Sequence, residues 1–169
     1  RPDYDRFVQL AKNELEAPFF LQTPLTDPGR NIDYVQIRNS ATTAIDLRYV
    51  DDHNTFNQGI FIDIFPIDYI NKDIEALNEQ LRLINLILSA ASSIPECPPY
   101  SDDVLNVIHH LESMFNVSFD YNNRLVHELK KLLDMLSAIC PPQNSNEVCS
   151  MIDLACGWDY HALLEWYSD

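Results

Sequence analysis

One carboxylate lies in the middle of an apolar run, where a charged side chain is hard to accommodate. Residues 59–68 read Gly-Ile-Phe-Ile-Asp-Ile-Phe-Pro-Ile-Asp, and Asp63 is the single acid before the proline. The β-branched and aromatic residues around it predict a strand buried on both faces, and Pro66 ends that strand because proline cannot donate to a ladder. A buried ionised carboxylate is costly unless a cation or hydrogen-bond donors meet it. Asp63 therefore needs a partner.

Two roles for Asp63 stay open on spacing alone. As a metal ligand, it would face a cleft and work with other carboxylates to hold Mg²⁺ against the phosphates of a nucleotide. As a structural residue, it would accept hydrogen bonds from backbone amides or from an arginine such as Arg38.

Arg38 is the cation that could meet a phosphate. It lies in an otherwise apolar strand, two residues before Ser40 and four before Thr42. The planar fork of an arginine suits a phosphate, and the two hydroxyls could add donors. A buried ion pair between Arg38 and an acid is an equally good interpretation.

The remaining residues that could carry chemistry are better explained by structural roles. Asp68 follows the proline, where a turn or helix cap is commoner than a catalyst. The His109-His110 pair lies on a predicted helix that can turn at most one imidazole toward the core. Cys149 and Cys156 have no histidine at zinc-ligand spacing, and residues 51–53, Asp-Asp-His, are typical of a solvated loop.

The elements that must position these residues form an α+β pattern. One helix and a small mixed β-sheet come first, and helices follow. The predicted helices cover residues 3–15, 73–89, 101–115 and 121–139, and the predicted strands cover 19–22, 34–38, 42–45 and 60–65. The tail carries a weak strand signal at 148–154, a turn at Gly157 and a last helical turn at 161–166. We expect one structural unit in three segments, residues 1–70, 71–146 and 147–169.

Composition limits the class of protein. The 169 residues are 46% hydrophobic and 22% charged, which is typical of a globular domain. Nucleic-acid-binding surfaces are typically basic, so a net charge of −15 argues against that class of protein. The three glycines of the chain are not spaced as a glycine-rich phosphate-binding loop requires. No run approaches the roughly 20 apolar residues of a transmembrane helix, so a cytoplasmic protein is the default expectation.

Residues 59–68 also resemble a family signature. The run GIFIDIFPID is similar to that of the LicD family, bacterial phosphorylcholine transferases that are related to fukutin-type proteins and have the nucleotidyltransferase fold. Residues 1–7, 20–23 and 37–42 resemble other segments of that family in the same order and spacing. The resemblance covers residues 1–70 well and the helical region weakly, so segment 1–70 would be a partial nucleotidyltransferase-like core.

The resemblance implies metal-assisted transfer of a phosphorylcholine-like group. A CDP-choline-like donor would supply the group, and a surface polysaccharide or lipid-linked glycan would accept it. Asp63 would be the catalytic, metal-binding carboxylate for Mg²⁺ or Mn²⁺, and Arg38, Ser40 and Thr42 would bind substrate. The family's DDDxD-type run should come just before Arg1 and is not in this sequence, so we expect an incomplete, inactive fragment. The alternative is a noncatalytic α+β binding or scaffold domain that uses its helical region to hold a partner.

Overall fold

The fold is α+β, as the sequence predicts. The computed structural model describes residues 1–23, 26, 34–42, 59–95, 98–141 and 147–168. Its elements, in chain order, are α1 (Pro2–Glu14), β1 (Phe19–Gln22), β2 (Val35–Asn39), β3 (Phe61–Ile64), β4 (Asp68–Tyr69), α2 (Ile74–Ser93), α3 (Asp102–Phe115), α4 (Leu125–Ser137), β5 (Val148–Cys149), α5 (Met151–Ala155) and α6 (Tyr160–Ser168). No helix in these ranges is both long and apolar enough to cross a lipid bilayer.

The larger sheet has the order β1-β2-β3, and both of its pairings are antiparallel. In the register of β2 with β3, Gln36 lies opposite Asp63 and Arg38 lies opposite Phe61. The described pairings thus form an antiparallel meander, where the sequence suggested a mixed sheet. The predicted strand at residues 42–45 falls almost wholly outside the described residues.

One expectation for β3 is wrong. The apolar run predicted burial on both faces, yet Ile62 is 65% exposed and Asp63 is also exposed. The described pairings place β3 at the end of the sheet, beside β2 only. A short apolar run has the same composition at the edge of a sheet as at its centre, so composition could not separate the two.

The helical half begins at two well-formed caps. The side chain of Asp73 accepts hydrogen bonds from the backbone N–H groups of Glu75 at 3.0 Å and Ala76 at 3.3 Å, which satisfies two of the free N–H groups at the start of α2. Ser101 caps α3 in the same way, through the N–H of Val104 at 3.4 Å. These caps confirm the predicted starts of both helices.

The hydrophobic core lies in this helical half. Helices α2 and α4 pack together, and the buried Gln80 of α2 donates to the carbonyl of Leu136 of α4 at 2.7 Å. Fully buried members of the core include Ile84, Ile87, Ile108, Leu125, Leu129, Leu133, Met151 and Leu163. Segments 71–146 and 147–169 therefore contribute side chains to the same core.

The tail packs on this core and reaches back to the proline-containing run. Strand β5 pairs antiparallel with β4, so that Asp68 lies opposite Cys149. The residues with the weak strand signal, 148–154, form the two-residue strand β5 and most of the short helix α5. Gly157 has a φ of +88°, which fits the predicted turn because glycine adopts that region without steric cost.

Candidate functional site

One face of the three-stranded sheet brings Asp63 and Arg38 close to each other. Side chains alternate between the faces of a strand, so Gln36 and Arg38 of β2 share a face with the residues opposite them, Asp63 and Phe61 of β3. Asp63 and Arg38 are therefore diagonal neighbours, a spacing that a long side chain can span. The sequence predicted both residues but not their relation.

Gln36 connects the two charges. Its side-chain Nε2 donates a hydrogen bond to Oδ1 of Asp63, and its Oε1 accepts from Nε of Arg38 at 3.2 Å and from Nη2 at 2.9 Å. Gln36 is 4% exposed and Arg38 is 3% exposed, so the bonds between these two residues are buried, whereas the bond to the exposed Asp63 is partly buried. The ring of Phe61 lies 4.9 Å from the guanidinium carbon of Arg38 and adds a cation–π contact.

Hydrogen-bond chemistry fixes the orientation of the Gln36 amide. A guanidinium only donates, and an ionised carboxylate only accepts. The amide oxygen must therefore point to Arg38 and the amide nitrogen to Asp63, because the flipped amide would oppose donor to donor and acceptor to acceptor. Within the described residues, Oδ2 of Asp63 accepts no hydrogen bond, so one oxygen of this exposed carboxylate stays available to a ligand.

The position of Asp63 bears on both interpretations of its role. Its contact is neither a backbone amide nor Arg38 itself but the side chain of Gln36, which the sequence analysis missed. The alternation in Tyr34-Val35-Gln36-Ile37-Arg38 places Gln36 beside Arg38, and this was the one available signal. Pairing Gln36 with Asp63 requires the register of β2 with β3, which the sequence does not state.

The two predicted substrate-binding hydroxyls hold the turn after β2. Ser40 Oγ donates to the carbonyl of Pro18 at 2.8 Å. Thr42 Oγ1 donates to the carbonyl of Asn39 at 2.9 Å and accepts from the N–H of Ile60 at 2.9 Å. Both hydroxyls are thus engaged by the backbone, and a substrate-binding role for them stays a prediction.

Gly59 fits under this turn because it has no side chain. A Cβ added there would overlap with the carbonyl oxygen of Asn39 and lie 3.2 Å from Oγ1 of Thr42. The glycine before the apolar run therefore lets the start of β3 approach the end of β2. It is part of the scaffold that sets the Asp63 register.

Asp68 takes part in a separate, structural ion cluster. Its carboxylate accepts from Arg1 Nε at 2.9 Å and from Nη2 at 2.6 Å, and Arg1 also contacts Asp134 at 3.0 Å. Burial acts to lower the pKa of Arg1, but the hydrogen bonds and charges of Asp68 and Asp134 outweigh it and raise that pKa. The expectation that Asp68 is structural agrees with this geometry, although it binds an arginine and does not cap a helix.

The remaining candidates lie apart from the sheet face. His109 and His110 are both exposed on α3. Cys149 is a buried free thiol, and burial, with the nearby charge of Asp153, raises its pKa to about 12, so it is a poor nucleophile. In the described part of the chain, no three or more histidine, cysteine or acidic side chains come together in a group that could hold a metal ion. Residues 51–53 lie outside that part.

A cleft of about 230 Å³ opens on the other side of the sheet. It is lined by α1, α4 and the adjoining ends of β1 and β2, with Lys12 and Lys130 as its cations. Val35 lines this cleft and is the neighbour of Gln36 along β2, so the two side chains point to opposite faces. The cleft and Asp63 therefore do not form one site.

A divalent cation is compatible with Asp63 as one ligand of several. Mg²⁺ is commonly held by one or two carboxylates, by water and by substrate phosphates. Asp63 is exposed and has one oxygen available, so it fits as one such carboxylate. Among the described residues, Asp63 does not belong to a group of three or more histidine, cysteine or acidic side chains that could hold a metal ion.

Comparisons with known proteins identify no relative. No protein-family model matches the chain, and no curated protein or solved structure matches it significantly. The resemblance of residues 59–68 to the LicD signature therefore stays a prediction, and the geometry of the sheet face is the independent observation on function.

Proposed function

We propose that this chain is part of a LicD-type transferase that moves a phosphorylcholine-like group from a CDP-linked donor to a cell-surface glycan. The observation that carries the proposal is the exposed carboxylate of Asp63 on a sheet face that also holds a buried arginine. Phosphoryl-type transfer depends mainly on positioning and on charge neutralisation. A strand that presents a hydrogen-bonded carboxylate to solvent meets the first of these needs.

In this proposal Asp63 is one ligand of a divalent cation, Mg²⁺ or Mn²⁺. Such a cation, when bound, would neutralise charge on the phosphates of the donor. The chain's own residues would orient the site, because Gln36 holds Oδ1 of the exposed Asp63 carboxylate and leaves Oδ2 available to a ligand. Arg38 would contribute positive charge behind the carboxylate, and direct contact of Arg38 with a phosphate remains part of the proposal.

The test is a transfer assay on the intact natural protein with CDP-choline and Mg²⁺. Asp63→Asn should lower turnover by at least about a hundredfold, since a catalytic cation contributes several kcal/mol of charge stabilisation. The melting temperature should not fall, because Asp63 is exposed. Asp103→Asn, an exposed acid in the first turn of α3, is the matched control and should retain full turnover. Undiminished turnover in Asp63→Asn would show that Asp63 is not the metal ligand.

The noncatalytic alternative makes the opposite prediction. Ile62, beside Asp63, is one of several large apolar side chains that the fold leaves exposed, and such side chains are typical of binding surfaces when they are contiguous. A binding or scaffold domain would show no turnover of CDP-choline in the intact protein, with or without Asp63. Absence of turnover under every metal condition would favour this alternative.

A further inference from the structure

We propose that Gln36 is a positioning residue that keeps Arg38 from neutralising Asp63. This role deepens the proposed function and rests on it, because it matters only if Asp63 must stay available as a ligand. The register places Gln36 directly opposite Asp63, and it places Arg38 in the next residue pair on the same face.

Arg38 and Gln36 are alternative partners for the carboxylate of Asp63. Diagonal neighbours on a sheet face lie about 7–8 Å apart, which an arginine side chain can cross. A direct bidentate ion pair between Arg38 and Asp63 would engage both carboxylate oxygens. The amide of Gln36 lies between the two groups instead and binds each of them.

A glutamine suits this position better than the other side chains of similar length. It is neutral and has an acceptor at one end and a donor at the other, so it can bind a cation and an anion at once. A glutamate in the same place would pair with Arg38 but repel Asp63. A lysine would attract Asp63 but repel Arg38. A methionine would bind neither group and would leave the buried guanidinium without this acceptor.

The experiment measures how available the carboxylate of Asp63 is in the folded chain. A water-soluble carbodiimide with glycinamide converts accessible carboxylates to amides, and mass spectrometry gives the rate at each acid. In Gln36→Ala the space between the charges opens, and Arg38 should pair directly with Asp63. Labelling of Asp63 should slow by roughly fivefold, the factor that corresponds to an ion pair of about 1 kcal/mol.

A second variant, in which Arg38 is also replaced, distinguishes the positioning role of Gln36 from a general disturbance of the sheet. In Gln36→Ala/Arg38→Met the competing cation is gone, so labelling of Asp63 should return to the native rate. Gln9→Ala removes the same atoms from an exposed position on α1 and should leave the rate at Asp63 unchanged. Unchanged or faster labelling in Gln36→Ala would overturn the proposal. So would slow labelling that Arg38→Met fails to restore.

A measurement of NMR chemical shifts tests the same contact without truncating Gln36, in case Gln36→Ala does not fold. The side-chain amide protons of Gln36 should resonate downfield in the native chain, because Nε2 donates to a carboxylate. In Asp63→Asn, an exposed substitution, those protons should move upfield. If they do not move, Gln36 does not bind Asp63 and the proposal fails. Neither experiment uses a metal or a donor, so a negative transfer assay would reject the proposed function without deciding this one.

Discussion

Replacing Gly59 with alanine tests whether the start of β3 must lie directly beneath the turn that follows β2. The added methyl group would overlap with the carbonyl oxygen of Asn39. That oxygen cannot move freely, because it accepts hydrogen bonds from the hydroxyl of Thr42 at 2.9 Å and from the N–H of Thr42 at 3.3 Å. The N–H of Asn39 also donates to the carbonyl of Ile60 at 3.0 Å, which fixes the two strands against each other.

The expected cost follows from this contact. Forcing a methyl group into a well-packed position costs about 1–3 kcal/mol, and a neighbour that is backbone and hydrogen-bonded places Gly59→Ala in the upper part of that range. At roughly 2–4 °C per kcal/mol for a chain of this size, the melting temperature should fall by about 4–12 °C. Gly59→Asn should destabilise at least as much, since its side chain is larger at the same contact.

Urea unfolding followed by circular dichroism measures the loss, and Gly157 supplies a matched control. A Cβ at Gly157 meets nothing within 4 Å, but the φ of this residue is +88°. Gly157→Ala should therefore cost about 1 kcal/mol from backbone strain alone, and Gly157→Asn should cost less because asparagine tolerates positive φ. If Gly59→Ala lies within about 0.5 kcal/mol of the native chain, the steric reasoning is wrong.

Three further predictions concern the helical half. The N–H of Phe119 donates to the carboxylate of Glu112 and lowers the pKa of that carboxyl below its ordinary 4.5. The ionised Glu112 should therefore stabilise the fold above pH 4.5, and this contribution should be lost as the pH falls through the lower folded-state pKa. Acid unfolding of Glu112→Gln should show a shallower pH dependence than that of the native chain. Leu129→Ala should cost about 2–5 kcal/mol in urea unfolding, since this side chain is fully buried; a smaller loss would place it outside the core. Iodoacetamide at pH 8 should alkylate the exposed Cys156 and spare Cys149 until the chain unfolds; mass spectrometry of the native protein would reveal early reaction at Cys149.

The helices were the most predictable part of the fold. In α4, leucines at Leu125, Leu129, Leu132 and Leu136 recur at helical spacing, and all of them are buried against the core. Asp73 and Ser101 lie where the sequence predicts the starts of α2 and α3. The predicted ends were less accurate, since α2 continues to Ser93 rather than residue 89 and α4 begins at Leu125 rather than residue 121. These signals are local, so a single sequence carries them.

The sheet face was predictable only in its parts. Asp63 and Arg38 could be chosen from their residue types, because charges in apolar strands need partners. Their connection through Gln36 depends on which residue of β3 lies opposite which residue of β2, and a shift by one residue would turn every side chain to the other face. The exposure of β3 depends likewise on the strands beside it, which the run of apolar residues does not specify.

The location of the hydrophobic core determines which parts of the chain unfold locally. Every buried member of the main hydrophobic cluster in the described residues lies at Ile70 or beyond, whereas the Asp63 face belongs to the strands before it. Regions with few buried apolar contacts open locally at lower free energy than the core. Amide hydrogen exchange should therefore be faster in β2 and β3 than in α2 and α4, and the strands should exchange through openings that leave the helices folded. A ligand that bridges Asp63 to other groups would then slow exchange in the strands first, which makes their protection a direct readout of binding.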